Sequence, residues 1–353
     1  MKKIMIFVGI ALLATASCTQ DEVRDTYRGN AIDFRAAIDT KGIETTTSTL
    51  NEVSKSFYAT AIDGNNDIYF NNLEFTFDAV NDVFVSDPVY YWPASGNLTF
   101  YAWYPADAAE DITVDNNQQT ITFIPKSTIA DQVDFVAVKT EGSNTSEGMA
   151  LEFEHILSQI QINAKNTNDG YVYNVKGIKI ANVASSGTYS FNNDPEWDST
   201  NADKVTYQST YDTPITLDNT SKSIMSADEG NAMLVPQQLT AWDGSGPAFV
   251  PEDPAIGTTN LQTGAYLAVL VNVKTDAQYQ IYPEDTSNEE EYGWIAVAID
   301  KKWEPGVKYI YILDFTDGAG VDESTNEPVL NTSIKFSYNI SISGWSGFGG
   351  YIN

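Results

Sequence analysis

The chain has 353 residues, and its 42% hydrophobic and 12% aromatic side chains favour packed cores and exclude a largely disordered protein. Its 48 Asp and Glu against 19 Lys and Arg give a net charge of −29. Such a surface disfavours binding to nucleic acid and to anionic lipid headgroups, because both require basic side chains.

The first 17 residues have the layout of an export signal. Lys2 and Lys3 precede the apolar run Ile4–Leu13, which is too short to span a bilayer as a helix. Position 18 holds the only cysteine, so it has no disulfide partner within the chain. The stretch resembles a bacterial lipoprotein signal, which is cut before a cysteine whose thiol carries diacylglycerol. We therefore predict a signal peptide over residues 1–17, lipidation of Cys18 and anchoring in the outer membrane.

Two alternatives for this start stay open: a plain secretory signal with a spare thiol, and a cytosolic chain. Thr19–Glu22 resembles the acidic tags that send Bacteroidales lipoproteins to the outer cell surface. Without residues 1–17, 17 basic side chains face 48 acidic ones, a net charge of −31. This charge favours a protein that stays in solution outside the cell.

Alternation of apolar and polar residues dominates the rest of the chain and predicts an all-β protein. About seven strands rich in Val, Ile, Thr and aromatic residues are predicted before residue 140. They are Ala31–Phe34, Ser56–Ile62, Leu73–Phe77, Val89–Trp92, Leu98–Trp103, Thr120–Ile124 and Asp134–Val138. A helical turn is expected only near Ile129–Asp131.

The polar run Glu141–Gly148 is predicted to link two domains, over residues 18–148 and 149–353. The second domain is predicted to contain the strands Leu151–Ala164, Val175–Val183, Gly187–Phe191, Lys204–Gln208, Ala232–Val235, Ala265–Val273, Trp294–Ile299, Tyr309–Phe315 and Ile334–Ser343. Ala265–Val273 is almost wholly apolar, so we expect a central strand buried on both faces. Two β-sandwiches in tandem are the simplest architecture.

Several segments occur in an order typical of one known family. They are Tyr91–Pro93, Leu98–Pro105, Asp134–Ala137, Phe153–Ile160, Met233–Gln237 and Trp303–Tyr311. With the lipoprotein start, they resemble the fimbrillin (Mfa-like) family of Bacteroidales surface pilins. The resemblance implies two tandem transthyretin-like, Greek-key β-sandwich domains. It also implies loss of an N-terminal strand to a trypsin-like protease, and polymerisation when a strand of another copy or related subunit fills the exposed groove.

Both parts of such a mechanism have candidates in the sequence. The basic residues near the start, as protease sites, are Arg24, Arg28, Arg35 and Lys41. The candidate donor strand over residues 334–343 alternates without a break and places five apolar residues on one face: Ile334, Phe336, Tyr338, Ile340 and Ile342. An ordinary C-terminal strand of the second domain is the alternative.

The sequence offers little catalytic chemistry. His155 is the sole histidine, so it lacks partners for a zinc site, and we expect a structural residue. Asp63–Asp67 lacks the spacing of a calcium loop and predicts a turn. No metal, cofactor or catalytic residue is predicted, and the chain is not expected to be an enzyme. The leading hypothesis is a surface fimbrial subunit that supports adhesion. A monomeric surface glycan-binding lipoprotein is the alternative, and host glycans or proteins stay open as partners.

Overall fold

The structure, a computed structural model, describes residues 30–38, 56–105, 109–115, 119–144, 148–191, 196–225, 230–244, 264–284, 291–331 and 341–344. These residues form twenty-four β-strands and two three-residue 3-10 helices, Ile129–Asp131 and Val329–Asn331. The prediction of an all-β protein is therefore confirmed, and the first short helix lies where a helical turn was expected. In this part of the chain no helix is long and apolar enough to cross a membrane.

Nine strands lie in the first half of the chain, which ends at residue 155. They are β1 (Phe34–Ile38), β2 (Ser56–Asp63), β3 (Ile68–Asp78), β4 (Val83–Ser86), β5 (Asn97–Tyr104), β6 (Ala109–Asp115), β7 (Thr120–Pro125), β8 (Val136–Ser143) and β9 (Met149–His155). Seven of them close into a barrel in the order β1-β4-β3-β2-β5-β8-β9. Alternation explains the strands: every second residue of β9, from Met149 to His155, is buried.

The second half contributes fifteen strands. They are β10 (Ser158–Lys165), β11 (Tyr171–Ala184), β12 (Gly187–Ser190), β13 (Glu196–Asp198), β14 (Lys204–Thr216), β15 (Lys222–Ser223), β16 (Ala232–Leu234), β17 (Gln237–Gln238), β18 (Tyr266–Thr275), β19 (Gln280–Tyr282), β20 (Gly293–Ala298), β21 (Lys302–Trp303), β22 (Val307–Asp314), β23 (Val321–Asp322) and β24 (Ser341–Gly344).

Two sheets of the second half enclose its core. One has the order β14-β11-β18-β20-β23, with β19 added to β18, and the other has the order β15-β10-β22-β24, with β16 added to β10. Their facing side chains form the largest apolar cluster, which contains Ile178, Val269, Trp303 and Tyr311. Strand β18 lies between β11 and β20, and residues on both its faces are buried. The predicted central strand is thus confirmed.

One sheet joins the two halves of the chain. Its order is β13-β12-β7-β6, so β7 from the first half pairs with β12 from the second, from Gly187 opposite Phe123 to Ser190 opposite Thr120. A buried cluster beneath it combines residues of both halves, including Trp103, Phe123, Tyr189 and Met233. The halves therefore share both a sheet and a core.

The segment predicted to link two domains has a different structure. Glu141–Ser143 belong to β8 and pair with β5, and β9 then returns antiparallel to β8 in the same barrel. The chain passes from the barrel to the second half later, between His155 and Ser158. An antiparallel connection at the rim of a barrel is as polar as an interdomain linker, so polar composition does not distinguish the two.

Two strand predictions were wrong in detail. Leu151–Ala164 forms two strands, because Ile156 and Leu157 are both buried and so interrupt the alternation. Val89–Trp92 forms no strand, and only Tyr91 makes an isolated bridge, to Ala31. Strand β4 was missed although Val83–Val85 is rich in β-branched and aromatic residues.

Candidate functional site: the first strand and its slot

Strand β1 closes the barrel between β9 and β4. It runs parallel to β9 over five residue pairs, from Phe34 opposite Met149 to Ile38 opposite Phe153. On its other edge it shares a single residue pair with β4, Phe34 opposite Phe84. A cavity of about 460 Å³ lies along this second edge and is lined by residues that include Asp33, Val83 and Val85. One edge of β1 is therefore fully paired and the other is nearly free.

The inward face of β1 fills an apolar slot. Ile32 is 1% exposed and Phe34 is 0% exposed. The Phe34 ring meets three other rings at steep angles, with centroid distances of 4.8 Å to Phe75, 5.1 Å to Phe100 and 5.8 Å to Phe57. Edge-to-face contacts of this kind add to the free energy gained by burial. Among the described side chains of β1, Phe34 thus contributes most to holding the strand in place.

Backbone and side-chain hydrogen bonds hold the segment that leads into β1. The Ile32 amide donates to the Tyr90 carbonyl at 2.8 Å, and the Trp92 amide donates to the Asn30 carbonyl at 3.0 Å. Asp33 Oδ1 accepts a bond from the Gly148 amide at 2.7 Å. Gly148 has a φ of +54°, and a Cβ at that position would lie 3.1 Å from Arg35 Nε. A glycine therefore suits both the turn and the close approach of the arginine.

Among the predicted protease sites, the structure describes Arg35. It lies within β1, its side chain is exposed, and it is opposite Ala150 of β9 in the register. Arg24, Arg28 and Lys41 lie outside the described residues, as does Cys18. The predicted strand at Ala31–Phe34 is shifted towards the C-terminus, since regular pairing begins at Phe34.

Of the candidate donor residues, Ile342 is described. It lies in β24, opposite Tyr309 in an antiparallel pair with β22. Ile334, Phe336, Tyr338 and Ile340 lie outside the described residues. The described end of the candidate donor strand is therefore attached to an edge of the second half, far along the chain from β1.

His155 and Asp63, which the sequence analysis also considered, make contacts typical of structural residues. His155 is buried, and its Nδ1 lies 2.5 Å from Asp134 Oδ2 where β9 meets β8. Asp63 Oδ1 accepts bonds from the amides of Asn65 and Asp67, which confirms the predicted turn between β2 and β3. These bonds, led by the one from Asp67, lower the pKa of Asp63. Within the described residues no group of three or more potential metal ligands occurs.

The fold and the slot define a class: an all-β protein of two interlocked halves, whose first strand inserts parallel to the last strand of a barrel. The chain belongs to the fimbrillin-like family, whose model matches residues 40–345. The predicted family is thereby confirmed. So is the prediction that the chain is not an enzyme, because the family consists of structural and adhesion proteins. Strand β1 lies just before the matched residues.

The chain is also similar to individual proteins. The chain is 24% identical to the fimbrium subunit Fim1C of Phocaeicola vulgatus, over 86% of this chain and 90% of that protein. A solved structure of a candidate cell adhesion protein from Parabacteroides distasonis has a TM-score of 0.50 and 10% identity, and covers 90% of this chain and 97% of its own. At this identity the likeness shows a shared fold only. Another, from Bacteroides uniformis, has a TM-score of 0.43 and 15% identity, with 90% and 98% coverage.

Proposed function

We propose that the chain is the precursor of a fimbrium subunit that is anchored in the outer membrane through Cys18, faces the cell exterior and supports adhesion. Membership of the fimbrillin-like family and the similarity to the fimbrium subunit Fim1C support this role. The acidic mature chain fits the exterior, because its net charge keeps unassembled copies apart. Its partners are then other copies or related subunits.

Assembly proceeds in this proposal by replacement of β1 with a strand from another subunit. The observation that carries the proposal is the unequal attachment of β1. Phe34, and Ile32 in the segment that enters the strand, are buried, and β1 pairs with β9 over five residues but with β4 over one. Loss of β1 would leave an apolar slot beside the unpaired edge of β9. An incoming strand with alternating apolar residues can fill such a slot and restore the main-chain hydrogen bonds.

The segment Ile334–Ser343 has the pattern that the slot requires. Its Ile334-Lys335-Phe336 repeats the spacing of Ile32-Asp33-Phe34 in the segment that enters β1. Before assembly the end of this segment pairs with β22, as Ile342 does. The same strand can therefore be an ordinary edge strand in the monomer and a donor in the fimbria.

Removal of β1 requires cleavage after its last residue, and Lys41 follows β1 by three residues in the sequence. Arg35 is a poorer site because its backbone lies within a paired strand, whereas proteases cut segments that are free or locally unfolded. Cuts at Arg24 or Arg28 would leave β1 in place. We therefore propose Lys41 as the productive cleavage site among the four candidates.

The test uses the full chain with Cys18→Ala, so that no lipid is needed, and limited digestion with trypsin. The parent and Arg35→Gln are expected to lose β1 and to form ladders that resist sodium dodecyl sulfate. Lys41→Gln is expected to stay monomeric. A synthetic peptide of residues 333–344 should stop ladder growth, and a control peptide with Phe336→Ser and Tyr338→Ser should not.

The outcome that contradicts the assembly proposal is trimmed protein that stays monomeric at high concentration. A monomer that instead binds polysaccharide with quenching of tryptophan fluorescence would support the glycan-binding alternative. If Lys41→Gln assembles like the parent, the proposed cleavage site is wrong while the replacement of β1 still stands.

The lipid anchor is tested separately in cells that express the wild-type chain. We expect the wild type to sediment with the outer membrane and to incorporate labelled palmitate. Cys18→Ala should lose both properties, whereas the neighbouring Thr19→Ala should lose neither. Equal sedimentation of all three chains would refute the anchor.

We also propose that the two transthyretin-like domains implied by the family meet between His155 and Ser158 rather than at residue 148. Strand β9 completes the barrel, and β10 begins the sheet of the second half, where it runs parallel to β22. A boundary at this point keeps each set of paired strands within one domain, apart from the sheet that β7 and β12 share.

A further inference from the structure

A groove lies between the edge strand β13 and the short β17–β21 pair. We call it the tryptophan groove and define it by Trp197, Pro236, Gln238, Trp303, Pro305 and Val307. Its volume is about 540 Å³. The apolar part combines the buried Trp303 with the half-buried Trp197 and Val307 and the exposed Pro305. It offers a partly water-exposed apolar surface on the outside of the fold, a feature that suits a partner segment.

Both indole N–H groups of the groove are satisfied within the chain. Trp303 Nε1 donates to the Tyr311 hydroxyl at 2.9 Å, and Trp197 Nε1 donates to the Ile156 carbonyl at 2.6 Å. These bonds fix the two rings, so a partner would find a preformed surface. The partner need not bring an acceptor for either indole, and contact with the ring faces and with proline is enough.

The position of β24 directs the chain towards this groove. Strand β24 is antiparallel to β22, and its last residue, Gly344, is opposite Val307, the first residue of β22. Since the two strands run in opposite directions, Gly344 at the described end of β24 lies beside the start of β22. Val307 lines the groove, so the last described residue of β24 lies at the groove's edge.

The composition of the following residues fits an apolar groove. Residues 345–353 read WSGFGGYIN, with three aromatic residues, three glycines and no charged side chain. Fully extended, nine residues reach about 30 Å, so the segment can cover the groove. The glycines let the backbone adapt, and Trp345 comes first. An uncharged segment can also bind next to exposed Glu196 and Glu304 without repulsion.

We infer that the tryptophan groove is the docking site of the chain's own tail, residues 345–353, with Trp345 seated between Trp197 and Pro305. The inference does not depend on the proposed assembly. Its consequence is that a docked tail holds β24 on the edge of β22. Release of the tail would then free that strand.

The test is a disulfide cross-link in the full chain with Cys18→Ala as background. Ser346→Cys is combined with Thr200→Cys at the rim of the groove, and the control combines it with Asn65→Cys in the exposed turn between β2 and β3. After mild oxidation, we expect about tenfold more intramolecular cross-link with Thr200→Cys than with the control, measured by mass spectrometry of the monomer. Equal yields overturn the inference. So does a cross-link found only between two molecules, which would make a second copy the occupant.

A second measurement avoids introduced cysteines. Trp345→Ala in the full chain should speed amide hydrogen exchange around Trp197 and Val307 by about tenfold, because the groove loses the side chain that covers it. Asn353→Ala is the matched control and should leave the exchange unchanged. Unchanged exchange in Trp345→Ala, in a protein with a native circular dichroism spectrum, would refute the docking.

Discussion

A buried ion pair joins two parts of the second half that are distant in sequence. Lys179 Nζ lies 2.6 Å from Glu323 Oε2, with side chains 8% and 3% exposed. The Tyr266 hydroxyl donates to Glu323 Oε1 at 2.9 Å, and Lys179 Nζ lies 4.1 Å from the centre of the Trp294 ring. Lys179 lies in β11 and Tyr266 in β18, so the Glu323 carboxylate links the residue after the edge strand β23 to two central strands of the same sheet.

Removal of the Glu323 charge is expected to destabilise the protein strongly. Glu323→Gln leaves the Lys179 ammonium buried without its counter-charge, and we expect a loss of about 3–5 kcal/mol in the free energy of unfolding. Urea unfolding measures this loss. Asp218→Asn breaks the exposed pair with Lys222 and should leave the midpoint unchanged. Equal midpoints for the two variants would show that the buried pair does not stabilise the fold.

At the scale of single elements, β1 is the strand whose removal the assembly proposal requires. Among its described side chains Phe34 is the main contact with the barrel, since Ala36 is small and the edge towards β4 shares one residue pair. The exposed Arg35 in the same strand points away from the slot. Substitutions at Phe34 and Arg35, which are adjacent in β1, therefore distinguish the effect of losing a buried side chain from the effect of changing any residue of the strand.

Phe34→Ala is expected to lower the free energy of unfolding by about 3–5 kcal/mol, as is usual for the loss of a buried phenyl ring. The variant should also lose β1 to trypsin faster, because the strand detaches more often. Arg35→Ala is the control and should change stability by less than about 0.5 kcal/mol. Urea titration and the rate of appearance of the new N-terminus test both expectations. A Phe34→Ala protein as stable as Arg35→Ala would contradict the role of the slot.

At the scale of the whole molecule, the sheet shared by β7 and β12 couples the halves. If either half were absent, side chains of the common core in the other half, such as Phe123 or Tyr189, would be exposed to water. We therefore expect one cooperative thermal transition, with equal calorimetric and van't Hoff enthalpies. Separately expressed residues 18–155 and 156–353 should not fold alone. Two resolved transitions in the intact chain would contradict this coupling.

We expect the buried tyrosines to make the free energy of unfolding fall at high pH. Burial raises the pKa of Tyr189 and of Tyr309 to about 12 from the ordinary value of 10.0. Above pH 10 the unfolded chain releases protons that the folded chain keeps, so the stabilisation is complete below pH 10 and is lost as pH rises towards 12. Melting temperatures between these values measure the effect. Tyr189→Phe should flatten the decline and the exposed Tyr279→Phe should not. Parallel declines in the two variants would contradict the assignment.

Local patterns were enough to predict the strands but not their partners. Alternation identified β2, β5 and β7 and, through its absence, the doubly buried β18, because burial of every second side chain follows directly from strand geometry. The rim of the barrel was harder to predict, since polar residues are typical of an interdomain linker and of a hairpin alike. The segment over residues 141–148 shows this ambiguity.

The sequence alone determined that the protein is all-β and that its start resembles a lipoprotein signal, and it supplied the candidate residues near each end for the proposed assembly. Only the tertiary structure decided that β1 lies beside β9, that Lys179 meets Glu323, and that the two halves share a sheet. A period of two residues specifies which face of a strand is buried. The choice of neighbouring strand depends instead on main-chain hydrogen bonds along the strand edges, which are the same for every residue type except proline. Phe34 and Met149 become neighbours across more than one hundred residues, and no local pattern encodes that contact.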